Sequence, residues 1–135
     1  MGGSIDPLTD DEGQFMTAIA TLSMLNLDCA DPRALAEFYH GVLGWEITHN
    51  EGDYAMIGDG HTNIGFGRVE GYEPPSWPDG EAGKRYHLDL YVDDLDKAEA
   101  RCLELGAGQV DFQPGGERWR VLTDVAGHPF CLCRS

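Results

Sequence analysis

Residues 22–45 read LSMLNLDCADPRALAEFYHGVLGW, and this stretch decides the architecture. Leu25, Leu27 and Cys29 alternate with Met24, Asn26 and Asp28, the period-two pattern of a strand with one buried face. Asp31 followed by Pro32 reads as a helix N-cap and first helical residue: the carboxylate accepts from unpaired backbone N–H groups, and proline has none to lose. Leu35, Phe38, Val42 and Leu43 then fall on one face of a helix over 32–43, and Gly44 ends it in a conformation glycine adopts without strain. Working outward, 45–49, 54–57 and 63–69 predict three strands separated by Asn-Glu-Gly-Asp and Gly-Asp-Gly turns.

The order β, α, β, β, β then repeats. Residues 71–83, GYEPPSWPDGEAG, hold three prolines and three glycines, too many for a regular element. Beyond them, a shift of 63 residues lays Leu25 on Leu88, Leu27 on Leu90 and Asp31 on Asp94. Leu95, Ala98, Cys102 and Leu105 mark a second helix over 95–105 stopped by Gly106, and strands are predicted at 109–112, 119–123 and 129–133. The expected fold class is therefore α+β, two tandem βαβββ modules forming a cup-shaped sheet. Residues 1–15 have no hydrophobic period and are expected to lie outside the fold, with Met16 a possible second start. A single domain is expected over 16–135, made of module 1 (17–70), a linker (71–83) and module 2 (84–134).

A helix covering one face of each sheet leaves the other face bare, and two bare faces side by side would enclose a pocket. Strand alternation nominates Met24, Asn26 and Asp28 from the first copy and His87, Asp89 and Tyr91 from the second as its lining. Tyr54, Trp77 in the linker and Trp119 are aromatic candidates for the same cavity, and Cys131 joins them on the closing strand.

Composition narrows the partners. Nine basic against 24 acidic residues give a net charge of −15, which repels nucleic acid phosphates and anionic membranes. No apolar run approaches the ~20 residues that span a bilayer, and the expected location is the cytoplasm. The four cysteines lie in apolar periodic segments, where a reduced thiol packs as a small hydrophobe rather than joining a disulfide framework. Cys131 and Cys133 form a C-x-C that projects both thiols to one face of a strand and would suit a soft metal if a third ligand approached.

MLNLDCADPRALAEFYHGVLGWEI, RYHLDLYVDDLDKAEARCLELGA and WRVLTDVAGHPFCL resemble the vicinal oxygen chelate superfamily of glyoxalases, bleomycin-resistance proteins and extradiol dioxygenases, in particular a glyoxalase-like subgroup. The resemblance spans 22–134, and its most specific parts are F-Y-x-x-V-L-G-W, H-L-D-L-x-V-D-D-L and D-x-x-G-H-P-F. It implies a divalent metal held by one ligand from the first and last strand of each module. Those positions fall on Met24, on Gly65 or Phe66, on His87 and on Cys131, where glutamate is usual. One standard ligand of four remains, so the expectation is no bound metal, since catalytic sites supply three protein ligands and an open position.

The resemblance implies a small-molecule binding protein of the bleomycin-resistance type, sequestering or carrying an aromatic compound or antibiotic without cofactor and acting as a homodimer. The alternatives are a metal-dependent lyase, isomerase or dioxygenase, or a metal-free enzyme using His87 and Asp89 as an acid/base pair. A thiol at Cys131 is expected to be packed and inert.

Overall fold

The structure, a computed structural model, describes residues 18–75 and 86–134. The first module runs β1 (Leu25–Cys29), α1 (Pro32–Leu43), β2 (Glu46–Glu51), β3 (Tyr54–Gly58) and β4 (Asn63–Arg68). The second runs β5 (Leu88–Val92), α2 (Leu95–Glu104), β6 (Gly108–Gln109), β7 (Trp119–Thr123) and β8 (Pro129–Arg134). Each module makes its own four-stranded mixed sheet, ordered β1-β4-β3-β2 and β5-β8-β7-β6, with the first pair parallel and the others antiparallel. The duplicated α+β plan is thus the observed fold.

Local chemistry explains the boundaries. The Asp31 carboxylate accepts from the Ala34 N–H at 3.2 Å and Asp94 from the Lys97 N–H at 3.0 Å, so both helices start on the aspartates the repeat nominates. Gly44 ends α1 with φ 73°, its N–H bonded to the carbonyl of His40. The predicted strand at 109–112 shrinks to Gly108–Gln109 because a side chain takes its place. Gln113 donates to the carbonyls of Val110 and Val121 and accepts from the Val121 N–H, all at 2.8–2.9 Å, occupying the ladder position beside β7.

Cys29, Ala55, Ile57, Ile64 and Phe66 are buried with Leu35, Phe38 and Tyr39 of α1, and Leu122, Phe130 and Leu132 with Leu95 and Cys102 of α2. The two sets fuse. Phe38 meets Phe130 of β8 edge-on at 5.8 Å, while Tyr39 stacks on Phe66 of β4 at 5.9 Å and touches Phe130 at 6.2 Å. Helix α1 therefore packs on both sheets. The modules share a core built from their helix-covered faces. The large apolar side chains Phe38 and Tyr39 of α1 reach the second sheet through Phe130.

Candidate functional site

On the second sheet, burial of Leu88 and Leu90 toward the core turns His87, Asp89 and Tyr91 outward. Asp89 is the parallel register partner of Cys131, and Tyr91 of Cys133, so the outward residues of β5 and β8 stand side by side. Trp119 pairs with Cys133 and joins the same face, with the Arg118 guanidinium 5.2 Å from its ring centre. His87 Nε2 lies 3.0 Å from the Asp89 carboxylate, a separation at which an Nε2–H donates to the oxygen. One donor atom each from His87, Asp89 and Cys131 lies within 4.8 Å of the others. Cys131 is buried at the floor, the His87 side chain is a quarter exposed and Asp89 stands at the rim.

The first sheet carries a different set. Asn26 pairs with Gly65, Gly65 with Met56, and Tyr54 with Gly67, whose other partner is Asp28; these residues form one uncovered face. The polar ends of Asn26 and Tyr54 fold over Gly65, where any Cβ would collide with both. The Tyr54 hydroxyl donates to the Met24 sulfur at 3.2 Å. His49 completes the cluster, its ring 6.4 Å from that of Tyr54. Simple alternation from Ile47 hides His49, placing it toward the core. A bulge between Ile47 and His49 shifts the register so that Ile47 pairs with Ile57 but His49 pairs with Met56, which turns the imidazole outward.

The sequence candidates thus separate into two groups. Asn26, Asp28 and Tyr54 share the first face; His87, Asp89, Cys131 and Trp119 share the second; Trp77 lies outside the described residues. Other clefts include one of about 490 Å³ between Ala30, Ala34, Tyr72, Pro74 and the turn at Asp124, and one of about 330 Å³ between Met24, Trp45, Ile64, Leu88 and Leu90.

A divalent ion ligated in the superfamily manner does not fit. Met24 offers only a thioether already accepting from Tyr54, and Gly65 has no donor and no room for one beneath Asn26 and Tyr54. At these two positions the first module thus contributes no hard ligand. What the second face can do chemically is hold a proton between imidazole and carboxylate beside a sulfur.

The D-x-x-G-H-P-F segment joins the modules. Asp124 is buried, accepts from the Tyr39 hydroxyl at 2.6 Å and receives the backbone N–H groups of Ala126 and His128. His128 Nε2 lies 2.6 Å from the Asp28 carbonyl and 3.3 Å from the Tyr72 hydroxyl, which in turn donates to the Ala126 carbonyl. Burial first, then the Asp124 charge, push the Tyr39 phenol well above its ordinary value, and the same two causes raise Tyr72 to about 12. Burial also raises the Cys29 thiol to about 11, and raises Cys102 and Cys133. No disulfide occurs among the described residues, and no helix among them is long and apolar enough to cross a membrane.

Similar structures agree with this architecture. A glyoxalase/bleomycin resistance protein/dioxygenase family enzyme from Burkholderia phytofirmans PsJN is 24% identical, with a TM-score of 0.62 over 85% of this chain and 98% of that one. A glyoxalase/bleomycin resistance protein from Albidiferax ferrireducens T118 is 17% identical, with a TM-score of 0.58 over 84% and 98%. The fosfomycin resistance protein FosX from Mesorhizobium loti is 17% identical, with a TM-score of 0.61 over 87% and 94%. No curated protein matches the sequence. The glyoxalase-like domain family matches residues 24–133, nearly the whole folded part of the chain, and the chain belongs to that family.

Proposed function

We propose that this chain is a small-molecule binding protein of the glyoxalase/bleomycin-resistance type, holding a partly aromatic organic compound on the uncovered sheet faces. The observation that carries the reading is the content of those faces. Exposed strand faces in a single-domain protein are ordinarily solvated and charged, whereas here His49, Tyr54 and Asn26 cluster on one and His87, Asp89, Tyr91 and Trp119 on the other. Imidazole, carboxylate and amide groups orient a polar substituent, and the aromatic rings supply stacking area. Resistance proteins and enzymes share this fold, so the fold alone leaves the chemistry open, and binding without turnover is the reading that needs no ligand set the first module lacks.

The proposed working unit is a homodimer in which a second copy covers the ligand. Among the described residues β1 and β5 are edge strands of their sheets, and Tyr91, 82% exposed, stands on the second face. Light scattering on the purified protein is expected to give twice the chain mass.

The test of function is a thermal-shift screen of aromatic metabolites and antibiotics, followed by calorimetric titration. His87→Ala and Trp77→Ala should each weaken binding of the best compound several-fold, as expected for ~1 kcal/mol of stacking or hydrogen bonding, with the free protein's melting temperature unchanged. Unchanged affinity in His87→Ala would refute the assignment of the second face.

A further inference from the structure

We propose that the cleft between Leu25, Trp45, Ile64, Leu88 and Leu90 is a second binding site, taking a small uncharged aromatic molecule of one or two fused rings with one hydrogen-bonding substituent. The cleft holds about 330 Å³, at the low end of the range of roughly 300–1,000 Å³ over which pockets take small ligands. Both modules build it: Leu25 of β1, Trp45 after α1 and Ile64 of β4 come from the first, Leu88 and Leu90 of β5 from the second. Leu25 stays 41% exposed, and Trp45, Leu88 and Leu90 are half-buried. Large apolar side chains left partly bare around a concave space gain by being covered with apolar surface, whereas water among them finds few polar partners.

The polar part of the lining points to a ligand through a comparison between the modules. The turn from β3 to β4 and the turn from β7 to β8 are built alike. Asp59 accepts from the N–H groups of His61 at 2.9 Å and Thr62 at 2.7 Å, as Asp124 does from Ala126 at 2.9 Å and His128 at 3.0 Å. The second turn is engaged by the fold: Asp124 takes the Tyr39 hydroxyl and His128 reaches the Asp28 carbonyl. The first turn is equally fixed but carries no such duty. Among the described residues the His61 ring and the Thr62 hydroxyl have no hydrogen-bond partner, and both residues line the cleft.

These groups select the ligand. Trp45 and the leucines supply stacking and burial for a flat ring, while an imidazole and a hydroxyl, each able to donate or accept, meet one polar substituent. An anionic substituent is disfavoured. The N–H groups of Thr62 and His61 hold the Asp59 carboxyl below its ordinary value, so the same turn carries a negative charge, on a chain of net charge −15. The cleft shares no residue with the set to which the proposed function assigns its ligand, so either reading can fail without the other.

The experiment titrates the full chain with 2-naphthol, followed by calorimetry and by proton magnetic resonance of the histidine rings. One equivalent should bind saturably at micromolar concentrations. The His61 ring resonances, identified by their loss in His61→Ala, should shift under the ring current of the probe while those of His49 and His87 hold. Leu25→Asp should weaken binding more than tenfold and His61→Ala several-fold, with circular dichroism unchanged, and 2-naphthoate should bind several-fold more weakly than 2-naphthol. No saturable binding, or shifts at His49 or His87 without one at His61, would overturn the proposal. A fall in mass by light scattering on adding 2-naphthol would make the cleft a contact with a second copy and overturn it as well, and naphthoate binding as tightly as naphthol would overturn the ligand class. Should Leu25→Asp fail to fold, the parent's His61 resonances and the His61→Ala affinity decide, and no change in either would overturn the proposal.

Discussion

Met24, Asn26 and Gly65 occupy in the first module the places that His87, Asp89 and Cys131 occupy in the second. Each pair sits at the same point of strands with the same order and register, yet one set is a filled patch and the other a group of convergent donors. The inward neighbours have not diverged in kind: Leu27 and Leu90, Phe66 and Leu132 all remain apolar. Inward positions answer to a shared core, where a misfit costs stability, and outward ones do not. A duplicated scaffold is thereby free to make its two outer faces chemically unlike while its backbone stays alike. The helices differ for another reason. The repeat lays Phe38 and Tyr39 of α1 on Arg101 and Cys102 of α2, and it is these two aromatic rings that carry α1 onto both sheets.

The largest effect should separate the helices. Phe38→Ala is expected to cost about 3–5 kcal/mol in urea unfolding, because it empties a site between two sheets, whereas Arg101→Ala, at the equivalent position, should change stability by about 0.5 kcal/mol or less. Similar costs at the two positions would break the asymmetry.

Next in size is Tyr39→Phe, which leaves the buried Asp124 carboxylate short of one partner and should cost about 1–3 kcal/mol. The pH dependence has a defined sign. The phenol is raised in the folded protein, so its contribution is complete below the unfolded value of about 10 and is lost as pH climbs beyond it. Tyr72 and Cys29 act in the same direction, with folded values of about 12 and about 11. Stability should therefore decline on the alkaline side, and Tyr39→Phe should make that decline shallower in urea titrations at several pH values. An identical slope would show that Tyr39 is not held neutral by its surroundings.

The smallest expected effect concerns the first face. Gly65→Ala must push aside the ends of the Asn26 and Tyr54 side chains, both of which can move, at a cost of about 1 kcal/mol. It should also release Tyr54 from Met24, which a rise in tyrosine solvent accessibility, read by ultraviolet difference spectroscopy, would report. An unperturbed tyrosine signal would mean that the first face is not filled as described.

The sequence by itself determined the elements, their order and which residues of β1 and β5 face outward, because strand alternation, aspartate caps and glycine stops are local matters set by neighbours along the chain. It also determined the duplication, whose halves repeat the same local signals. Tertiary structure decided the rest. The bulge that turns His49 outward depends on how β2 registers against β3, and the side chain of Gln113 replaces a strand because it reaches Val121 across a loop. Asp89 meets Cys131 only through the pairing of β5 with β8, and the sheets share one core only because Phe38 and Tyr39 find Phe130 on a distant strand. The last two are meetings between residues far apart in the chain, and no local pattern encodes them. They are selected by the burial of large apolar side chains and the pairing of backbone groups across the whole fold.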